Sequence, residues 1–193
     1  MTPKEFLDFN NSTSMFDYLT VFPKDSVSGI ALAHDTLTFL TQTGIPTYAA
    51  PYFYFGDFDG QFLPLLNDWP WRKQQYENDL KAWVVGCAPD ESPVCILENE
   101  QLFIYKTSQD KQLLNNSLPQ LIGVLVAYAT MVDKAMSECG DDVFINNTIL
   151  EHLIVELEKQ LPIIDDGCCA NSCFWIKELY RLRRLSEFGE KQK

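Results

Sequence analysis

Six cysteines and two histidines are the residues of this chain that most readily bind metals or act as nucleophiles. Three of the thiols crowd into the stretch CCANSC, as Cys168, Cys169 and Cys173. A structural zinc site usually needs a second pair of ligands at short spacing, and Cys139 and His152 each stand alone in the sequence. The stretch also lacks the C-x-x-C spacing of redox motifs. It therefore predicts thiols buried at the start of a helix and no metal site, with a disulfide or redox role as the alternative.

The other candidates for catalysis or ion binding are a second histidine and an acidic turn. His34 lies in ALAHDTLTFL, and neither it nor His152 belongs to an H-E-x-x-H motif. A calcium loop that began at Asp57 in DFDG would need Glu at the twelfth position, where Asp68 stands, and its glycine, Gly60, comes too early. No P-loop, dinucleotide fingerprint or G-x-S-x-G motif occurs. We therefore predict no cofactor and no enzymatic activity, with an enzyme that has no local motif as the alternative.

The chain is acidic, and its charge is unevenly distributed. The formal net charge is −12. Residues 171–193 carry six basic and three acidic side chains, whereas residues 1–170 carry nine basic and 24 acidic ones. An acidic body repels nucleic acid and attracts basic partners. The charge therefore argues against nucleic-acid binding and favours a basic partner, with solubility alone as the simpler alternative.

The apolar runs of the sequence bear on its cellular location. The N-terminal residues MTPKEFLDFNNS mix charges and contain no long apolar stretch, which argues against a signal peptide. Without such a signal, the cysteines are expected to be reduced thiols of a cytosolic protein. The apolar run from Leu121 stops at Asp133, short of the roughly 20 residues that span a membrane. We therefore expect a cytoplasmic protein that does not enter a membrane.

The pattern of apolar residues predicts the elements that position these side chains. A short helix is expected over residues 4–9, and a second helix through DSVSGIALAHDTLTFLTQTGIPT that ends at Gly44. Alternation in YFYF predicts a strand. Three more short strands are expected at about 82–87, 93–97 and 102–106. Strands followed by helices predict an α+β fold in one domain, residues 1–193, with helices on one side of an antiparallel sheet.

The stretch LLNNSLPQLIGVLVAYATMVDKAM predicts the central helix of that fold. Ser117 can cap the helix, with Gln120 at capping-box spacing, and Pro119 is tolerated in the first turn. The helix is apolar on all sides, as is typical of a helix buried inside a protein. Two further helices are expected, over NTILEHLIVELEKQL and around SCFWIKELYRLRR.

The order of these motifs resembles the SUKH superfamily, most closely its fourth family of immunity proteins. LTQTGIPT is similar to that family's helix ending in Gly-Leu-Pro, and VVGCAPDESPVCILENEQLFIY is similar to its strand meander. LLNNSLPQLIGVLVAY is similar to its Asn-Ser-Ser-Leu helix start, and CFWIKELYRL to its closing helix with a tryptophan. The chain departs from the pattern at Asn116, in place of the first Ser, and in the turn ENEQ, which lacks a glycine. The resemblance covers about residues 35–185.

The resemblance implies a SUKH-like fold and a protein that binds rather than catalyses. Proteins of this kind are bacterial cytosolic antidotes encoded beside polymorphic toxins, many of which are nucleases. The implied partner is a cognate protein toxin, and the basic surface of a nuclease would complement an acidic inhibitor. The alternative is a SUKH-type interaction or regulatory module that has no toxin partner.

One segment combines acidic and aromatic residues in the way that a tight interface requires. Such an interface needs a dry centre with aromatic anchors inside a polar rim. The segment GDFDGQFLPLLNDWPWRKQQYEND is rich in turn formers and is expected to be an exposed loop. The alternative is that its tryptophans pack beneath the loop while its acids face water. The predicted partner-binding residues are Asp57, Phe58, Asp59, Asp68, Trp69, Trp71, Tyr76, Glu77 and Asp79.

Overall fold

The computed structural model of the protein describes residues 1–56, 63–69, 81–107, 109–146, 148–169 and 173–190. Five α-helices and eight strands occur in this part of the chain. The helices are α1 (Pro3–Thr13), α2 (His34–Thr38), α3 (Leu118–Cys139), α4 (Glu151–Ile164) and α5 (Phe174–Glu190). The strands are β1 (Leu19–Thr20), β2 (Ile45–Pro46), β3 (Tyr48–Ala49), β4 (Phe53–Phe55), β5 (Ala82–Cys87), β6 (Pro93–Leu97), β7 (Leu102–Tyr105) and β8 (Lys111–Asn115).

Six of the strands form one antiparallel sheet, whose strand order, β3-β4-β5-β6-β7-β8, follows the chain. Val94 of β6 is opposite Ile104 of β7, and Cys95 is opposite Phe103. Because successive side chains point to opposite faces of a strand, Val94 and Ile104 enter the main core, and Cys95 lies on the other face. The predicted α+β class and the three predicted strands are confirmed, each strand to within one residue.

Helices cover one face of this sheet. The central helix is α3, whose Leu121, Ile122 and Leu125 are at most 1% exposed, and it packs against α4. The prediction of a buried core helix is therefore confirmed. No helix in the described part of the chain combines the length and hydropathy that crossing a membrane would need.

Residues 63–69 lie beside β5 and bring Leu66 and Trp69 to the opposite face of the sheet. The Leu66 N–H donates to the Ala82 carbonyl at 2.8 Å, and the Val84 N–H donates to the Pro64 carbonyl at 2.9 Å. These bonds hold the segment against β5. A second, smaller apolar cluster forms there from Leu66, Trp69, Ala82, Val84, Cys95 and Tyr105.

The helix predicted to begin near Asp25 and to end at Gly44 is shorter than expected. It begins at His34 and continues as a π-helical turn, Phe39–Thr43, to the expected end at Gly44. Between β1 and α2, the helical residues are those of the 3₁₀ turn Lys24–Val27. Gly29 follows with a φ of 87°, a left-handed conformation that interrupts a right-handed helix.

A glutamate from a distant turn sets where α2 begins. The Glu100 carboxylate accepts hydrogen bonds from the Ala33 N–H and the Thr36 hydroxyl, which satisfies groups at the start of the helix. Glu100 has a φ of 72°, in the region where a glycine would be unstrained. The missing glycine of the turn ENEQ is thus explained by the capping that the glutamate side chain provides.

The two asparagines before α3 connect three parts of the chain. Asp165, at the end of α4, is 1% exposed. Its carboxylate accepts hydrogen bonds from Asn115 Nδ2 (2.8 Å), the Asn116 N–H (2.9 Å), Asn116 Nδ2 (2.7 Å) and the Gly167 N–H (3.0 Å). Asn115 Oδ1 accepts from Trp175 Nε1 at 3.0 Å. The end of β8, the α4–α5 connection and the start of α5 are therefore joined by one buried polar network.

The two edges of the large sheet, β3 and β8, were not among the predicted strands. β3 pairs with β4, and β8 pairs with β7. At the end of β8, the Leu114 carbonyl accepts a hydrogen bond from Cys173 Sγ at 3.6 Å. β1 and β2 form a separate two-stranded sheet beside α2.

Candidate functional site: an aromatic cleft beside the C-terminal helix

Most of the segment predicted to bind a partner lies outside the described residues. This applies to Asp57, Phe58, Asp59, Trp71, Tyr76, Glu77 and Asp79. Asp68 is described and exposed, as a contact residue would need to be. Trp69 is only 2% exposed and belongs to the smaller apolar cluster. A ring buried to this extent cannot reach a partner, so the prediction for Trp69 is corrected: it is a core residue.

A cleft of about 560 Å³ opens where the β3–β4 hairpin meets α3 and α5. Its lining is aromatic and aliphatic, and Arg181 is the charged residue among the described residues that line it. Concave, mostly apolar sites of this size with a few polar groups are where proteins commonly bind ligands. We call it the aromatic cleft; its characteristic side chains are Tyr48, Tyr52, Tyr54, Tyr128, Phe144 and Arg181.

A buried carboxylate organises the floor of the aromatic cleft. The Tyr128 hydroxyl donates to Glu178 Oε1 at 2.6 Å. Arg181 donates from Nε to Glu178 Oε2 at 2.8 Å and from Nη2 to Oε1 at 2.7 Å. Glu178 is 7% exposed, whereas the Arg181 side chain is 48% exposed. The ion pair, one helical turn apart on α5, therefore leads from the protein interior to the solvent in the cleft.

These contacts fix the protonation states at the floor. Burial raises the pKa of the Tyr128 hydroxyl well above its usual range, and the charge of Glu178 raises it further. The hydrogen bond to Glu178 raises the pKa of Arg181, which therefore stays charged. Tyr128 is held as a neutral hydrogen-bond donor, and this arrangement suits binding better than proton abstraction.

Tyr128 makes the free energy of unfolding depend on pH in alkaline solution. Its folded pKa lies above the unfolded value of about 10, so its stabilising contribution is complete below that pH and is lost as the pH rises further. Above about pH 10, this one group lowers the free energy of unfolding by up to about 1.4 kcal/mol per pH unit. We therefore expect Tyr128→Phe to lose less stability than the wild type between about pH 9 and pH 11, as measured by urea unfolding.

The control for this experiment is Tyr180→Phe. Tyr180 is 63% exposed and should leave the pH dependence of the wild type unchanged. Parallel stability curves for wild type and Tyr128→Phe would contradict the raised pKa.

The rim of the aromatic cleft exposes tyrosines to solvent. Tyr48 and Tyr52 are 66% and 80% exposed, and the ring centroids of Tyr48 and Tyr54 are 5.3 Å apart. Tyr52 has a φ of 72°, which is uncommon for a residue with a side chain and is typical of strained positions at binding sites. Beneath the rim, Phe53 packs on Trp175 with ring centroids 6.0 Å apart. The chain thus places exposed and buried aromatic rings next to one another in this hairpin.

The aromatic cleft was not predicted from the sequence. YFYF was interpreted as a strand, and the signal it also contains is that the tyrosines Tyr52 and Tyr54 alternate with the buried Phe53 and Phe55. The exposed Tyr52 just before β4 and the half-buried Tyr54 within it form an aromatic surface, which often marks a binding site. Arg181 gave no such signal, because its role depends on Tyr128 and Glu178 together.

The thiols and histidines whose side chains the structure describes form no comparable site. Cys168 and Cys173 are fully buried, in agreement with the prediction, and a hydrogen bond with Cys168 lowers the pKa of Cys173. His34 is exposed, and His152, also exposed, lies 3.4 Å from Glu138. Within the residues that the structure describes, no three histidine, cysteine or acidic side chains are grouped so that they could hold a metal ion.

Comparisons with known proteins leave the family open. No family model matches the chain, and no curated protein or solved structure matches it. The resemblance to the SUKH superfamily therefore stays a prediction.

Proposed function

We propose that the protein is a SUKH-type immunity protein that acts in the cytoplasm by binding and neutralising a basic protein toxin, without catalysis. The observation that carries this proposal is the exposed tyrosine rim of the aromatic cleft on a chain of net charge −12. Tyrosine and arginine are enriched among the residues that dominate binding energy in protein interfaces. Both line this cleft, so its centre is suited to anchoring a partner.

Acidic residues lie next to the aromatic cleft along the chain. Asp133 follows Val132, which lines the cleft, and Asp141 and Asp142 shortly precede Phe144. All three aspartates are exposed. An apolar centre with a charged rim is the usual anatomy of a specific interface, and acidic charge speeds the approach of a basic partner. The net charge of −12 and these aspartates therefore support a basic partner, and the apolar cleft supports the contact itself.

The cleft is also prepared for binding before a partner arrives. The Tyr128–Glu178–Arg181 contacts hold Arg181 in place, and tyrosine side chains have few rotatable bonds to immobilise. A preformed site loses less entropy on binding, which favours the tight association that an antidote needs.

The test is neutralisation of the toxic protein encoded in the neighbouring reading frame. Cells that express this protein should survive co-expression of that neighbour, and the purified pair should form a complex whose association slows at high salt. We expect Tyr52→Ala to weaken the complex by roughly 30-fold or more, since loss of a central anchor costs about 2 kcal/mol or more.

The matched control is Tyr180→Ala, which removes a tyrosine that is 63% exposed and does not line the cleft. Its affinity should stay within about twofold of the wild type, as is usual for residues outside the anchor. Protection with an unaffected Tyr52→Ala complex would place the interface elsewhere on the protein. Absence of protection and of a complex would contradict the proposed function and favour the interaction module without a toxin.

A further inference from the structure

Arg181 has hydrogen-bonding capacity that the fold does not use. Its contacts with Glu178 occupy Nε and Nη2. Within the described residues, nothing accepts a hydrogen bond from Nη1, and about half of the side chain is exposed in the aromatic cleft. A guanidinium carries five N–H donors in a rigid plane that matches the two oxygens of a carboxylate. Its outer edge therefore presents hydrogen-bond donors that are already placed to bind a carboxylate group.

The charge along this wall of the cleft also favours an anion. Lys177 and Arg184 lie one turn before and one turn after Arg181 on α5, and both are exposed. Glu178 balances one of these three cations. The stripe is therefore locally positive on an otherwise acidic protein. The acidic body opposes a second negative charge, which favours a singly charged group over a phosphate.

The remaining walls of the cleft define the rest of the ligand. They offer aromatic faces from Tyr48, Tyr54 and Phe144, together with the apolar side chain of Val132. Aromatic rings pack on one another in offset or tilted arrangements that are worth more than their buried area alone. The volume of about 560 Å³ lies in the range of sites for small molecules. A planar aromatic body therefore fits these walls better than a flexible aliphatic chain.

We propose that the aromatic cleft binds a small aromatic monocarboxylate, whose ring packs against the tyrosine walls and whose carboxylate accepts hydrogen bonds from Arg181. This activity goes beyond toxin binding, because it needs no protein partner. A ligand in the cleft would cover the tyrosine rim and would compete with any protein that binds there.

Calorimetric titration of the isolated, full-length protein tests the proposal. The ligands are 2-naphthylacetate, its neutral amide 2-naphthylacetamide, and decanoate as an aliphatic carboxylate. We expect 2-naphthylacetate to bind at one site, and the amide to bind about tenfold or more weakly because it lacks the charge-assisted hydrogen bond. Decanoate is expected to bind several-fold more weakly, since it cannot stack.

Two variants separate the role of Arg181 in ligand binding from its role in the fold. Arg181→Lys keeps a positive charge against Glu178 but removes the planar fork, and it should weaken 2-naphthylacetate binding about tenfold or more. Arg183→Lys is the matched control, because Arg183 pairs with Glu158 and does not line the cleft. Its affinity for the ligand should equal that of the wild type.

The proposal is overturned if 2-naphthylacetate does not bind, if the amide or decanoate binds as well, or if Arg181→Lys binds like the wild type. Because no toxin is present, any of these results leaves the proposed immunity function untouched. Conversely, the protein could bind the ligand and yet protect against no toxin. That result would support the ligand-binding inference and would contradict the immunity function.

Discussion

Replacement of Asp165 by alanine is expected to lower the free energy of unfolding by about 3–5 kcal/mol, because several hydrogen-bond donors lose their acceptor at once. The Asp165 carboxylate is 1% exposed and accepts four hydrogen bonds, two of them from backbone N–H groups of Asn116 and Gly167. Its removal leaves these part-buried N–H groups and the buried Asn115 amide without their acceptor. Urea unfolding followed by circular dichroism measures the loss as a lower midpoint.

Asp166→Ala is the matched control for this substitution. Asp166 is adjacent and exposed, and its contact with Asn116 Nδ2 is long, at 3.2 Å. It should change stability by no more than about 0.5 kcal/mol, as surface substitutions usually do. Asp165→Asn keeps the shape and one acceptor oxygen, so its stability should lie between those of the wild type and Asp165→Ala. Equal stability of Asp165→Ala and Asp166→Ala would contradict the network.

Gly86→Ala is expected to destabilise the protein by about 2–3 kcal/mol through overpacking. A Cβ atom at Gly86 would lie 2.4 Å from the Tyr54 carbonyl oxygen and 2.6 Å from Phe55 Cδ1. Both atoms belong to β4, and a backbone oxygen cannot rotate away. The substitution therefore pushes β4 off β5 and moves the hairpin that forms one wall of the aromatic cleft. Urea unfolding measures the effect, with the change in near-ultraviolet circular dichroism as a second readout.

Gly123→Ala provides the comparison for Gly86→Ala. The added Cβ would lie 2.9 Å from Ile164 Cγ2, a side-chain methyl at the last residue of α4 rather than a backbone atom within a sheet. Alanine is also favoured over glycine inside a helix by about 1 kcal/mol, which offsets the contact. Gly123→Ala should therefore keep the stability of the wild type to within about 1 kcal/mol. A Gly86→Ala protein that is as stable as Gly123→Ala would contradict the close approach of β4 and β5.

The sequence predicts an element well when residues close together in the chain determine it. β5, β6 and β7 follow from alternating apolar residues between short turns, and α3 follows from a cap and a long apolar run. The local sequence does not predict where α2 begins, because the residue that caps it is Glu100, from the β6–β7 turn. β8 was missed because Lys111 and Gln112 look like loop residues, although Gln112 is 5% exposed in the structure.

The same distinction applies to the polar residues and to the candidate site. Ser117 was predicted to cap α3, and it does, since the Gln120 N–H donates to its hydroxyl at 3.4 Å. Asn115 beside it binds Asp165, a partner that local spacing cannot identify. The aromatic cleft likewise combines a hairpin, two helices and a loop, so its members meet only in the folded chain. Trp69 shows the opposite case, where an aromatic residue in a polar stretch is buried by a neighbouring strand.

The edges of the large sheet restrict how another protein can recognise this one. In the described part of the sheet, β3 has only two residues, and near the end of β8 the Leu114 carbonyl already accepts a hydrogen bond from Cys173 Sγ. Neither edge offers a long row of open backbone groups that a strand from another chain could extend. A partner would therefore have to contact side chains rather than open edge backbone. Single substitutions can change those side chains without disturbing the sheet. Such a scaffold can change partners by gradual sequence divergence while its architecture persists.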